Sequence, residues 1–206
     1  SHNVDLLIQR VADLGANTVF LQAIADPAGD GNITSVYFPN RWLPVRAALF
    51  NRVSCQLPTR GTADVYAWMP VLAFDLPGLP HVLAWNPKTG QNQIDPHQYH
   101  RLSPYSTKAR DRIIELYEDL AAHAVFEGVL FHDDALLSDF EDASPEALQA
   151  YQEAGLPPSI AQIRSNPDTM QRWTRFKSQT LVDFTQTLMR HVRAIRGPQV
   201  MSARNI

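Results

Sequence analysis

The sequence predicts an α/β fold built on a parallel sheet, because short apolar runs alternate with amphipathic helical segments four times along the chain. The runs lack a polar face, as is typical of buried parallel strands. Parallel neighbours are joined by right-handed crossovers. Two architectures satisfy this pattern. One is an open doubly wound sheet, and the other is a (β/α)8 TIM barrel, of which the chain would cover about the first four strand–helix units.

The first half of the pattern contains two strands. In order, we predict a helix over 4–14, a strand over 18–25, a polar loop over 26–40, a helix over 47–53 and a second strand over 64–73. Gly15 is a stop signal for the first helix. Pro70 marks the end of the second strand, because proline cannot donate to a central ladder.

The second half contains two more strands. In order, we predict an irregular excursion over 77–104, a helix over 107–124, a strand over 128–132, a short helix from 145, a longer helix over 173–195 and a fourth strand over 199–203. Thr107 is a plausible cap for the first of these helices. Because the chain stops as the fourth strand finishes, we expect residues 1–206 to be the N-terminal half of a barrel whose remaining strands are absent.

Composition excludes several classes of protein. The chain has 206 residues, a formal net charge of −3 and 45% hydrophobic residues, which is ordinary for a globular protein. Cys55 is the single cysteine, so an intramolecular disulfide and a multi-cysteine metal site are both excluded. We predict no transmembrane segment, because no apolar run approaches about 18 residues. We also predict no nucleic-acid partner, because there is no basic stripe.

The third predicted strand ends in His132, Asp133 and Asp134. Groups that do chemistry in such folds follow the carboxyl ends of strands. Side chains alternate between faces along a strand, so one of the two carboxylates would point into the barrel mouth, and the spacing does not decide which. That carboxyl group could act as a general acid on a glycosidic oxygen. In the alternative interpretation, one aspartate caps the next helix and the other forms a salt bridge.

Three further acids follow in the same loop: Asp139, Glu141 and Asp142. They form either an ordinary solvated acidic loop or a negative field that attracts a cationic substrate.

Metal and cofactor sites are not predicted. Residues 26–32 faintly resemble a calcium loop but lack a bidentate acid at the right distance, so a turn-rich loop is expected. His97, His100 and His132 lack the tight spacing of zinc ligands. The chain also has no glycine-rich phosphate loop and no nucleophile elbow.

Aromatic residues are the candidates for contacts with a sugar, because sugar rings stack on such faces. The set consists of Tyr37, Trp68, Trp85 and Tyr99. Core packing is the alternative for at least half of them. Tyr99 is the least core-like of the set, because the polar residues His100 and Arg101 follow it in a long loop.

Five blocks carry a resemblance to a known family: YFPNR over 37–41, VYAWMPVL over 65–72, QYHRLSP over 98–104, FHDDALLSD over 131–139 and RGP…ARNI over 196–206. Together they closely resemble the C-terminal domain of the PgaB family, the periplasmic poly-β-1,6-N-acetyl-D-glucosamine N-deacetylases of biofilm export systems. The resemblance implies a (β/α)8 barrel whose electronegative groove binds and hydrolyses partially de-N-acetylated polymer. It also implies that the deacetylase domain would precede Ser1 and is absent here.

The resemblance assigns the catalytic aspartate to Asp133 and a sugar-binding tyrosine to Tyr99. Asp134 would assist Asp133. The expected substrate-binding residues are Tyr99, His100, Arg101, His132, Asp139, Trp68, Tyr37 and Arg41. The implied partners are the polysaccharide and an outer-membrane export porin, with a periplasmic location at the outer membrane. Two alternatives remain open: a non-catalytic module that guides the polymer to export, and a barrel glycosidase that acts on neutral sugars.

Overall fold

The computed structural model describes residues 2–61 and 63–205. In chain order its elements are α1 (His2–Asp13), β1 (Thr18–Gln22), β2 (Ile24–Ala25), β3 (Ser35–Val36), α2 (Phe50–Ser54), a π-helical turn (Leu57–Gly61), β4 (Asp64–Met69), β5 (Ala84–Trp85), β6 (Asn92–Gln93), α3 (Thr107–His123), β7 (Gly128–Phe131), α4 (Pro145–Glu153), α5 (Ile160–Arg164), α6 (Pro167–Arg196) and β8 (Met201–Arg204).

Four parallel strands form the central sheet in the order β1-β4-β7-β8. Each strand therefore joins the sheet beside its predecessor, always at the same edge. A doubly wound sheet reverses this direction at a switch point, whereas a (β/α) barrel does not. The order selects the barrel architecture from the two that the sequence allowed.

One face of the sheet packs against the helices. Val65, Ala67, Met69 and Val129 are all fully buried there, and α3 packs against α6 over the same core. The opposite face is more open, and Phe20 on β1 is 53% exposed. The edge of the Phe20 ring approaches the Tyr66 ring on this face.

Differences from the predicted elements have local causes. The first predicted strand is interrupted at Ala23 and continues as β2, which pairs antiparallel with β3. The second strand ends at Met69, directly before Pro70, as proline requires. Ser106, and not Thr107, caps α3, because its side chain accepts a hydrogen bond from the Ala109 amide.

The helix α6 begins earlier than predicted, at Pro167, with Asn166 as its cap. Proline suits the first helical turn, since its missing N–H is not needed there. The excursion over 77–104 contains one hairpin, β5–β6, and is otherwise irregular as predicted. No helix within residues 2–61 and 63–205 has the length and hydropathy required to cross a membrane.

Candidate active site at the carboxyl ends of β4 and β7

A cavity of about 410 Å³ opens where the loops after the strands meet. It is lined by Asp30, Pro96, His97, Gln98, Tyr99, Arg101, Asp133, Asp134 and Leu136. Tyr99 and Asp133 were both predicted as site residues. Asp30 and Gln98 were not, because they come from loops whose path over the strand ends has no sequence signature.

Asp133 follows β7 and presents one side of its carboxylate to the cavity. His132 Nδ1 lies 2.7 Å from Asp133 Oδ1, close enough for an ion pair with a protonated imidazole. That oxygen is shielded from solvent and has no partner with hydrogen-bond geometry among the described residues. The Asp133 side chain as a whole is nevertheless 45% exposed, so its accessible surface belongs to the remaining atoms. Asp133 can therefore meet a ligand while His132 steadies it.

Three aromatic rings form a row beside this carboxylate. The His132 ring is stacked on Trp68 with centroids 5.6 Å apart, and Tyr99 meets His132 edge-on at 5.5 Å. The indole N–H of Trp68 is buried and has no acceptor among the described residues. A buried donor without a partner is costly, so a ligand hydroxyl or an ordered water would satisfy it.

Tyr99 is held against the loop that contains Gly31. A Cβ at Gly31 would overlap the Tyr99 ring, and the backbone there has a φ of +74°, so two independent constraints favour glycine. Burial raises the pKa of Tyr99, and the negative charge of the nearby Asp133 raises it further. Its phenol therefore stays a neutral hydrogen-bond donor beside Asp133.

Asp134, the second residue predicted to be catalytic, lines the cavity but has a different environment from Asp133. The residue is fully buried, and its carboxylate accepts hydrogen bonds from the backbone N–H groups of Val71, Leu72 and Ala73 at 2.6 to 3.1 Å. Burial raises the pKa of Asp134, and these amide hydrogen bonds oppose the rise. Asp134 thus fixes the loop after β4 at the base of the cavity, where its carboxylate is already occupied by backbone hydrogen bonds.

Arg101 is also corrected from a substrate-binding to a positioning residue. It is 2% exposed, and its Nη2 donates to Glu141 at 2.7 Å. Further hydrogen bonds run from its guanidinium to the backbone oxygens of Tyr99 and Leu136. Arg101 therefore ties the loop that contains Tyr99 to the loop that follows Asp133.

The predicted acidic loop divides into buried and exposed members. Glu141 and Asp142 are buried, and Asp142 accepts a hydrogen bond from Ser103 at 2.6 Å. Lys177 donates to the backbone oxygen of Glu141, and burial lowers its pKa from 10.5 to about 8. These paired groups cannot attract a distant cation as the sequence suggested. Asp139 is exposed and lines a separate cavity of about 200 Å³.

Five other predicted binding residues are not among those that line the 410 Å³ cavity: Tyr37, Arg41, His100, Trp68 and His132. Trp68 and His132 line a smaller cavity of about 30 Å³. Tyr37 packs against the main hydrophobic core. Arg41 forms ion pairs with α3, including one of 3.0 Å to Asp119, so it anchors its loop to the helix. His100 is exposed and contributes nothing to the cavity lining. For Tyr37 and Arg41, the matched sequence block reflects packing and anchoring.

The loop over 26–32 is turn-rich, as expected from its composition. The Asp26 carboxylate accepts hydrogen bonds from the backbone N–H groups of Gly29, Asp30 and Gly31. Both oxygens of the Asp26 carboxylate therefore accept hydrogen bonds from within the loop. Among residues 2–61 and 63–205, no group of three or more histidine, cysteine or acidic side chains is arranged to hold a metal ion.

Comparisons with known proteins cover the full chain. The family model described as hypothetical glycosyl hydrolase family 13 (GHL13) matches residues 1–206. The poly-beta-1,6-N-acetyl-D-glucosamine N-deacetylases of Escherichia coli K12 and Escherichia coli O157:H7 are each 55% identical over 205 residues, which make up 99% of this chain and 30% of those proteins. The chain thus spans less than a third of the length of these curated relatives.

Solved structures that match this chain include a glycoside hydrolase domain. The glycoside hydrolase domain of PgaB (BpsB) from Bordetella bronchiseptica matches with a TM-score of 0.91 and 49% identity, over 100% of this chain and 59% of that chain. Alpha-L-fucosidase isoenzyme 2 from Paenibacillus thiaminolyticus matches with a TM-score of 0.66 at 15% identity, over 96% of this chain and 28% of that chain, and it supports the fold alone. The predicted partial (β/α)8 barrel and the predicted resemblance are both confirmed. The chain belongs to hypothetical glycosyl hydrolase family 13, and its fold is similar to that of the PgaB glycoside hydrolase domain.

Proposed function

We propose that this domain is an endo-acting glycoside hydrolase that cleaves partially de-N-acetylated poly-β-1,6-N-acetyl-D-glucosamine during biofilm exopolysaccharide modification and export. The observation that carries the proposal is the half-exposed carboxylate of Asp133, which lies in an open cavity beside Tyr99 and is steadied by His132. The names of the relatives supply the polymer.

In the proposed reaction, the carboxyl group of Asp133 gives its proton to the glycosidic oxygen as the bond from that oxygen to the anomeric carbon breaks. The electron pair of that bond goes to the departing oxygen. Tyr99 donates a hydrogen bond beside Asp133, and Trp68 offers its unpaired N–H to a sugar hydroxyl. His132 positions Asp133 between them.

The anomeric carbon also needs a nucleophile or a base-activated water. Asp134 is the weaker candidate, because its carboxylate is buried and already accepts hydrogen bonds from three backbone N–H groups. Asp30 is exposed and lines the same cavity as Asp133, so it is one candidate for the second carboxylate. The acetamido group of the substrate is the other, as in substrate-assisted glycosidases. A fully deacetylated polymer distinguishes these two candidates, because it lacks the acetamido group and, of the two, could be cleaved only with the help of Asp30.

The charge of the cavity suits a polymer that bears ammonium groups. Asp30 and Asp133 contribute negative charge, whereas the positive charge of Arg101 is balanced by Glu141 at 2.7 Å. A cavity with an excess of one sign concentrates ligands of the other sign, and the attraction weakens as salt rises. We therefore expect deacetylated units to bind better than acetylated ones, and more so at low salt.

One observation favours the second candidate, a binding module that guides polymer without cutting it. The two neighbouring aspartates have different environments, since the Asp134 carboxylate is buried and is held by the backbone N–H groups of the loop after β4. A binding module needs only Asp133 and the aromatic row. It predicts saturable oligosaccharide binding with no shortening of the polymer.

We further propose that residues 1–206 are the N-terminal half of a barrel that additional strands complete. The exposure of Phe20 (53%) and Met201 (57%) on the sheet supports this, because large apolar side chains are seldom left open to solvent on a finished sheet. We place the parent protein in the periplasm, associated with the outer membrane, with a deacetylase domain and an export porin as a partner. The relatives' names support the deacetylase part of this proposal.

The experiment is product analysis. The protein that carries these residues is incubated with partially deacetylated, fully acetylated and fully deacetylated polymer, and the products are sized by mass spectrometry. Short oligomers from the partially deacetylated polymer support the hydrolase. Binding without any shortening of the three polymers refutes it and leaves the binding module.

A further inference from the structure

A second cavity, of about 300 Å³, adjoins the first and takes no part in the proposed reaction. Its walls come from the β5–β6 hairpin, from the loop over 95–97 and from Phe140. Pro96 and His97 line both cavities. The two cavities are therefore neighbours that share the segment of Pro96 and His97.

An aromatic platform forms one wall of this second cavity. Trp85 stacks on Phe140 with an angle of 25° between the rings, and the Trp85 amide donates to the Phe140 carbonyl at 2.9 Å. The Arg164 guanidinium lies 4.0 Å from the centre of the Phe140 ring. The platform is thus held from two sides. The indole N–H of Trp85 has no partner among the described residues, so it is free to donate to a hydroxyl.

Asp95 is the acidic residue among those that line the cavity. Asp95 Oδ1 accepts a hydrogen bond from the His97 amide, whereas Oδ2 is without a partner within residues 2–61 and 63–205. No lysine or arginine is among the residues that line the cavity. An aromatic face beside an unpaired carboxylate matches a sugar ring that carries an ammonium group.

We propose that the cavity formed by Trp85, Phe140 and Asp95 is a further subsite, which binds a glucosamine unit of the polymer at a distance from the bond being cleaved. This inference rests on the proposed function for the identity of the polymer. The volume of about 300 Å³ is at the lower end of known ligand pockets, which is the size expected for one sugar unit.

The test measures binding of β-1,6-linked oligomers of increasing length by calorimetry. It uses the protein that carries these residues, with Asp133→Asn present in every sample so that no oligomer is consumed. We expect Trp85→Ala to weaken binding of long, partially deacetylated oligomers about tenfold and to leave the shortest oligomers unaffected. Trp42→Ala is the matched control, because Trp42 is 39% exposed and lies outside both cavities. We expect Trp42→Ala to change neither the binding of long oligomers nor that of short ones.

Asp95→Asn tests the charge and is independent of the packing of Trp85. We expect it to weaken binding of long deacetylated oligomers severalfold at low salt, with no effect on fully acetylated ones. Equal affinity of the Asp133→Asn protein with and without Trp85→Ala for every length would overturn the subsite, and so would an equal loss at all lengths. A protein that binds but never cleaves would refute the proposed hydrolase and leave this length dependence intact.

Discussion

Replacing Asp134 by alanine removes the shared acceptor of three buried backbone N–H groups. Val71, Leu72 and Ala73 all donate to this carboxylate, with N–O distances of 2.6 to 3.1 Å. Asp134 and all three donors are buried, so no water can take the place of the lost carboxylate without rearrangement. A buried donor left unpaired costs about 1 to 3 kcal/mol. Taking about 1 kcal/mol for each of the three donors, we expect Asp134→Ala to lower the free energy of unfolding by about 3 kcal/mol.

Asp133→Ala is the matched control, because the neighbouring carboxylate has a different environment. Its side chain is 45% exposed, and its close contact is with His132, which is itself 26% exposed. Exposed ion pairs contribute little to stability, so we expect a change of about 0.5 kcal/mol or less in the free energy of unfolding.

Urea unfolding followed by circular dichroism separates the two variants. With a slope of about 2 kcal/mol per molar urea, Asp134→Ala should lower the midpoint by about 1.5 M at unchanged slope. Asp133→Ala should unfold close to the wild type. Equal midpoints for Asp134→Ala and Asp133→Ala would refute the positioning role and would return Asp134 to the list of catalytic candidates.

Three further predictions concern residues around the site. Gly31→Ala should weaken oligosaccharide binding measured by calorimetry, because the new methyl group displaces the Tyr99 ring and is strained at a φ of +74°; unchanged affinity would contradict this packing. Arg101→Met should cost about 3 to 5 kcal/mol in urea unfolding, because it leaves Glu141 buried without its partner; a loss below about 1 kcal/mol would refute that pairing. The buried Lys177 has a pKa of about 8 against an ordinary value of 10.5, so the folded chain releases this proton before the unfolded chain does, and the stability contributed by this group rises with pH above 8. Between about pH 7 and 9.5, wild type should therefore gain about 2 kcal/mol relative to Lys177→Met, and parallel pH profiles would contradict the shift.

The sequence predicted the framework because strands and helices leave local periodic signals. The apolar run over 128–131 ends directly before His132, so the position of Asp133 at a strand end could be inferred without coordinates. Pro70 similarly marked the end of β4. The strand order could not be read from periodicity alone, and it is what separates the barrel from the doubly wound sheet.

The site was predicted less completely, because its contacts join distant parts of the chain. Arg101 pairs with Glu141 across 40 residues, and no local pattern distinguishes such a buried arginine from one that binds a substrate. The direction of Asp134 depends on how the chain turns after β7 has ended at Phe131. Gly31 carried a usable signal, since a glycine within a turn-rich loop often marks a close approach, but its neighbour Tyr99 could not be inferred.

The central claim is that Asp133 is the acid that cleaves the polymer. The most direct test compares the rate of oligomer release by wild type and Asp133→Asn from partially deacetylated poly-β-1,6-N-acetyl-D-glucosamine. We predict a loss of at least about a hundredfold for the variant at saturating polymer, with its unfolding midpoint preserved. A variant that releases oligomers at the wild-type rate would contradict the claim.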